Sequence, residues 1–151
     1  MPIVAVEGYQ LSEHFILKEL FIQNSNEEFR QFLFKPPNGF KLSDKDARTV
    51  RYTTRHLSGL SYTLGDISYT EVGPILQKLQ HCVVYTYGCN ARNFLLKWLP
   101  STVIINIQEL GYSMPKELFK RPCFLNHPAR YCAASKAFDI KCFLDNSNIL
   151  N

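Results

Sequence analysis

Three apolar, β-rich runs joined by links too short to hold a helix constrain the first third of this chain to an antiparallel meander. Pro2–Leu11, His14–Gln23 and Phe29–Lys35 are rich in β-branched and aromatic residues. The turn chemistry of Asn24-Ser25-Asn26 and of Pro36-Pro37-Asn38-Gly39 punctuates them. Parallel neighbours would need a crossover of roughly a dozen residues or more, and no such length separates these runs. Two anomalies sit inside them. Glu7 lies among Ile3, Val4, Ala5, Val6 and Tyr9, where a carboxylate requires a partner, a metal or a raised pKa. Lys18 and Glu19 interrupt the second run.

The rest of the chain alternates. Ser43 is a plausible N-cap, with Asp46 three residues on, for a helix that Ser58-Gly59 breaks. A second helical pattern runs from Tyr69 or Thr70 to about Gln80. Cys82–Tyr87 then reads as a short buried strand, Asn90–Leu99 as a helix and Thr102–Ile107 as another buried strand. Met114–Arg121 reads as a short turn or helix, and Ala129–Leu144 as a closing helix. Strand, helix, strand implies parallel pairing with right-handed crossovers. The expected product is a single α/β domain over residues 1–151, built on a mixed five-stranded sheet of three antiparallel strands and two parallel ones, flanked by helices.

The densest chemistry is Cys123-Phe-Leu-Asn-His127-Pro128-Ala-Arg-Tyr-Cys132. Residues five apart within one helix point about 140° away from each other, so His127 and Cys132 converge only if the histidine precedes the helix. Pro128 suits the first helical position, which would put Cys132 in the second turn. Thiolate and imidazole groups at this spacing suit Zn²⁺, and a tetrahedral site needs a fourth ligand from elsewhere in the chain. The alternatives are two buried thiols beside a surface histidine, or a thiol nucleophile with His127 as its base. Cys82, Cys89 and Cys142 read as core residues. Five cysteines in a chain this long are expected to be reduced thiols of an intracellular protein, in cytoplasm or nucleus. The sequence shows no signal peptide pattern and no run long enough to span a membrane.

The motifs resemble those of a known superfamily. In DnaQ-type exonucleases, which have an RNase H-like fold, Asp-x-Glu on the first strand, a central Asp and a last Asp hold two metal ions. The last Asp follows a catalytic His in the pattern His-x-Ala-x-x-Asp-Ala. Here His127-Pro-Ala129-Arg-Tyr-Cys132-Ala133 matches with Cys for Asp, and Ala5-Val6-Glu7 matches with Ala for the first Asp. The segment that resembles the junction carrying the central Asp, Val83–Leu99, contains no acidic residue. Two-metal hydrolysis needs carboxylates to hold ions roughly 3.5–4 Å apart, and three of the four are missing.

What remains resembles the Maelstrom domain, a divergent relative from the piRNA pathway in which a Glu-Cys-His-Cys set binds zinc in place of the catalytic acids. The resemblance implies Glu7, Cys123, His127 and Cys132 as a structural zinc set, and a catalytically degenerate domain. Its partner would be single-stranded RNA or a protein of a small-RNA or mobile-element pathway. An active single-stranded RNA nuclease that does not use the two-metal mechanism, and a pure protein-interaction module, are the alternatives. The chain carries 17 Lys and Arg against 13 Asp and Glu, a mild excess that permits a polyanionic partner. Arg48, Arg51 and Arg55, with Lys45 nearby, would lie on one helix face and could follow a phosphate backbone. Tyr52, Tyr62, Tyr69, Tyr85 and Tyr87 are candidate stacking platforms.

Overall fold

The computed structural model describes residues 2–24, 28–118 and 127–147, and gathers the apolar runs into one mixed sheet. Its strands are β1 (Ile3–Gln10), β2 (Phe15–Gln23), β3 (Phe29–Leu33), β4 (Val83–Thr86) and β5 (Val103–Asn106). They lie side by side in the order β3-β2-β1-β4-β5. β2 is antiparallel to both β1 and β3, whereas β4 is parallel to β1 and β5. Helices α1 (Asp44–Tyr52), α2 (Val72–Gln77), α3 (Cys89–Trp98) and α4 (Ala133–Asn146) flank the sheet.

Side-chain alternation along β1 explains why the run is apolar throughout, since both faces are covered. Val4 packs with Leu20, Ile22 and Val84 against Leu76, Leu79, Phe94, Leu95 and Leu99, the core beneath α2 and α3. Ile3 and Ala5 face the other way, where with Phe21 and Tyr85 they meet Ala133, Ala134, Ala137, Ile140 and Leu144 of α4. The alanines on that helix let its backbone lie close to β1 and β2. A third cluster, Tyr9, Leu11, Ile16 and Val50, closes the far end of β1 and β2 under α1.

The pairing of β1 with β2 breaks between Glu7 and Gly8, a bulge that opposes Glu7 to Glu19 and Gly8 to Leu17. Gly8 is required there: a Cβ would run into the Ile16 carbonyl oxygen. Lys18, the residue skipped in this register, turns its ammonium onto the carbonyls of Phe34, Tyr62 and Leu64. It is 3% exposed, and desolvation lowers its pKa to about 8 despite the nearby charge of Asp66.

Several helical boundaries differ from expectation. Ser43 caps α1 as expected, accepting from the Asp46 N–H. The helix then widens into a π-helical turn, Thr53–Ser58, before Gly59 ends it at φ 69°. The pattern from Tyr69 resolves into a 3₁₀ turn, Tyr69–Glu71, followed by α2. Pro128 does not begin the last helix. Its φ of −58° suits a helix, but its ψ of 139° is extended. A three-residue 3₁₀ turn (Ala129–Tyr131) follows, Cys132 is extended, and α4 starts only at Ala133. Cys89 is exposed rather than core, because it is the first residue of α3. Of the 114–121 segment, residues 114–118 form no helix and 119–121 lie outside the described residues.

Candidate metal centre

Glu19, His127 and Cys132 form a buried group at the junction of β2 with the entry to α4, their ligand atoms all within 4.8 Å of one another. Two of the expected residues, His127 and Cys132, therefore meet as predicted. They do so because both lie outside α4, the 3₁₀ turn between them folding the chain back on itself. The carboxylate that joins them is not the expected Glu7 but its cross-strand neighbour Glu19. Glu7 is held by the ammonium of Lys136, on the first turns of α4. Burial raises the Glu7 pKa, and the Lys136 charge pulls it back down. Cys123 lies outside the described residues.

The sequence trace of Glu19 is its place beside Lys18 in an otherwise apolar run. Consecutive residues of a strand face opposite sides of the sheet, so Lys18 and Glu19 could not both reach water if either face were covered. Both faces are covered: Lys18 is 3% exposed and Glu19 0%.

Glu19 is held by hydrogen bonds from two other elements. Its Oε1 accepts from the Ala133 N–H at 2.6 Å, the first residue of α4, and its Oε2 accepts from Gln31 Nε2 at 2.9 Å on β3. Its Oε2 also faces His127 Nε2 at 3.5 Å, both side chains being wholly buried. A charge-assisted hydrogen bond would be about 2.7–2.9 Å. A zinc ion with arms of about 2.0–2.3 Å sets its tetrahedral ligands roughly 3.3–3.8 Å apart, and 3.5 Å falls in that range. Neither ring nitrogen of His127 has a hydrogen-bond partner of normal geometry among the described residues. Buried polar atoms are almost always satisfied, and a metal ion shared with Glu19 and Cys132 would satisfy this histidine.

The electrostatics agree. Burial would lower the His127 pKa, but Cys132 and Glu19 raise it to about 10. Burial would raise that of Cys132, but His127 and Ser135 draw it down to about 6. A carboxylate and a thiolate side by side in a dry pocket favour a positive charge between them, and a proton or a metal ion can supply it. The donor set of one sulfur, one nitrogen and one oxygen fits a borderline-soft divalent metal.

The residues expected to contact RNA are elsewhere. Lys45, Arg48, Arg51 and Arg55 are all exposed along α1 and its π-helical extension. Among the tyrosines, Tyr52 is 59% exposed and its ring lies 4.9 Å from that of His56. Tyr85 is buried in the core under α4 and offers no stacking face. Tyr62 and Tyr69 pack against the cluster beneath α1, and Tyr87 is half-buried.

Among the described residues, no helix is long and apolar enough to cross a membrane. No protein-family model matches the chain, and neither a curated protein nor a solved structure matches it.

Proposed function

We propose that this chain is a catalytically degenerate RNase H-like domain of Maelstrom type, pinned by a structural zinc ion, that binds single-stranded RNA. The observation that carries the reading is the buried Glu19–His127–Cys132 group. It ties β2 to the start of α4, and two of its three residues, His127 and Cys132, are ligands the resemblance implies, with the carboxylate supplied from β2 instead of β1. The strand order β3-β2-β1-β4-β5, with its antiparallel and parallel halves, also favours an RNase H-like fold. Cys123, four residues before His127, is the natural fourth ligand: four residues of chain reach up to roughly 14 Å. Four protein ligands close the shell and leave no position for an activated water, which makes the ion structural.

The chemistry of the strand ends supports a loss of two-metal hydrolysis. Glu7, the carboxylate retained on β1, is paired with Lys136. No acidic residue stands between Val83 and Leu99, the β4–α3 region. An ammonium therefore sits where the resemblance would place a metal ion. The exposed Lys45, Arg48, Arg51 and Arg55 give an electrostatic track for a phosphate backbone, with Tyr52 beside it for a base.

Anisotropy titration of single-stranded RNA over a salt series tests this reading. Replacing Lys45, Arg48, Arg51 and Arg55 by Gln (the α1 variant) should reduce the magnitude of the log K against log salt slope by about 0.7 for each phosphate no longer neutralised. RNA that stays intact with and without EDTA fits a binding domain. EDTA-sensitive cleavage, or no binding at low salt, overturns it.

A further inference from the structure

A second basic surface, distinct from α1 and from the Glu19 group, lies where the turn after β5 meets the entry to α4. There Tyr87, Met114, Pro115, Lys116, Arg130, Tyr131 and Lys136 line a cavity of about 290 Å³. That volume lies at the lower edge of the range for ligand pockets, roughly 300 Å³, so it admits at most one small group such as a terminal nucleotide. Its charge is one-sided. Lys116, Arg130 and Lys136 contribute three cations, and among the described residues no acid lines the cavity. Glu7, which holds Lys136 from the neighbouring cavity, offsets one of them. Two positive charges remain, a match for a phosphomonoester carrying about −1.5 to −2 at neutral pH. Among the described residues, Lys116 and Arg130 form no ion pair, and both are exposed enough to reach a ligand.

The aromatic walls are set as well. Tyr87 is fixed by its hydroxyl, which accepts from the Met114 N–H at 3.2 Å and from Gln108 Nε2 at 3.3 Å, and by Tyr112 against its ring. Arg130 lies over the Tyr131 ring at 6.0 Å from its centroid. A guanidinium beside a tyrosine face can take a phosphate while the ring takes a base.

We infer that this cavity binds the terminal phosphorylated nucleotide of a single strand, with Lys116 and Arg130 on the phosphate and Tyr131 against the base. A partly open cavity with two cations left unpaired suits a chain end better than an internal phosphodiester, which carries one charge. The inference rests on the RNA-binding reading above and gives that reading an end-recognition site.

Its test compares one short single-stranded RNA bearing a 5′-phosphate, a 3′-phosphate or hydroxyls at both ends, with adenosine monophosphate as a separate ligand. The wild-type chain should bind one phosphorylated form at least fivefold more tightly than the hydroxyl form. Lys116→Gln/Arg130→Gln should abolish that preference, while the α1 variant should weaken all three RNAs alike and keep it. Both substituted residues are at the surface, so the fold is retained and circular dichroism checks it. No preference in the wild-type chain, or a preference that survives in the double variant, overturns the inference while leaving RNA binding by α1 intact. Saturable adenosine monophosphate binding lost in the double variant, without RNA binding, supports the cavity and removes the RNA reading. Binding of neither ligand removes both.

Discussion

Exchanging each of the two cross-strand carboxylates for its amide separates the metal-site residue from its neighbour. In Glu19→Gln, the new side chain offers one carbonyl oxygen where the carboxylate offered two. Ala133 N–H and Gln31 Nε2 both donate to Glu19 in a wholly buried setting. Hydrogen bonds to a charged group contribute about 1.5–3 kcal/mol and neutral ones about 0.5–1.5 kcal/mol. If the Gln31 amide flips to meet the new N–H group, only the charge assistance is lost, about 2 kcal/mol for the pair. If it does not, one donor is left facing another and the loss rises to about 4 kcal/mol. At roughly 2–4 °C per kcal/mol for a chain of this size, Tm in EDTA should fall by on the order of 10 °C. Glu7→Gln should cost less than Glu19→Gln, since burial opposes the charge that the substitution removes. Its partner Lys136 keeps part of its exposure to water. Differential scanning fluorimetry of both variants in EDTA and in zinc gives the comparison, and zinc should stabilise Glu7→Gln but not Glu19→Gln. A larger loss in Glu7→Gln, or equal losses, would refute the assignment of Glu19 to the site.

Other outcomes follow from single contacts. Ile140→Ala empties a fully buried position between α4 and the sheet and should cost about 2–5 kcal/mol in urea unfolding; a loss under about 1 kcal/mol would mean that α4 is not packed there. Gly8→Ala drives a methyl group into the Ile16 carbonyl oxygen; amide exchange should accelerate along β1 and β2 and stay slow in β4 and β5, and uniform protection would contradict the bulge. Asp46 accepts from the Ser12 backbone N–H and hydroxyl, and these bonds hold its pKa below the ordinary 3.8. Its contribution is therefore present above about pH 4 and lost as pH falls through the depressed value. Asp46→Asn should lower the urea midpoint at pH 6, and the difference should vanish in strong acid; a gap that persists there would contradict the linkage.

The strands were legible because continuous apolar runs rich in β-branched and aromatic residues, bounded by turn residues, read as buried strands. β1 and β4 match expectation to within one residue at each end. The parallel half could be read from the alternation of Val83–Thr86, α3 and Val103–Asn106. What sequence could not supply was register. Glu7 stands out in a run of Val, Ile and Ala, yet only the bulge at Gly8 and the approach of Lys136 decide that it faces a cation. Glu19 was visible only as an interruption of β2, since its burial depends on α4, which arrives more than a hundred residues later. The end of α1 shows the same limit. Ser58-Gly59 marks the stop, but nothing in Thr53–Ser58 announces the wider π-helical turn. At Pro128 a ring-fixed φ left ψ undetermined, and the extended ψ delayed the last helix from Ala129 to Ala133.

Whether one ion joins the second strand to the last helix is most directly answered by elemental analysis of the purified chain, alongside Cys132→Ser, Glu19→Gln and Glu7→Gln. One equivalent of zinc should accompany the wild-type chain and Glu7→Gln, and both other variants should lose it. A folded chain that carries no metal and takes up none from added zinc, or one whose zinc depends on residue 7 and not on residue 19, would contradict the account.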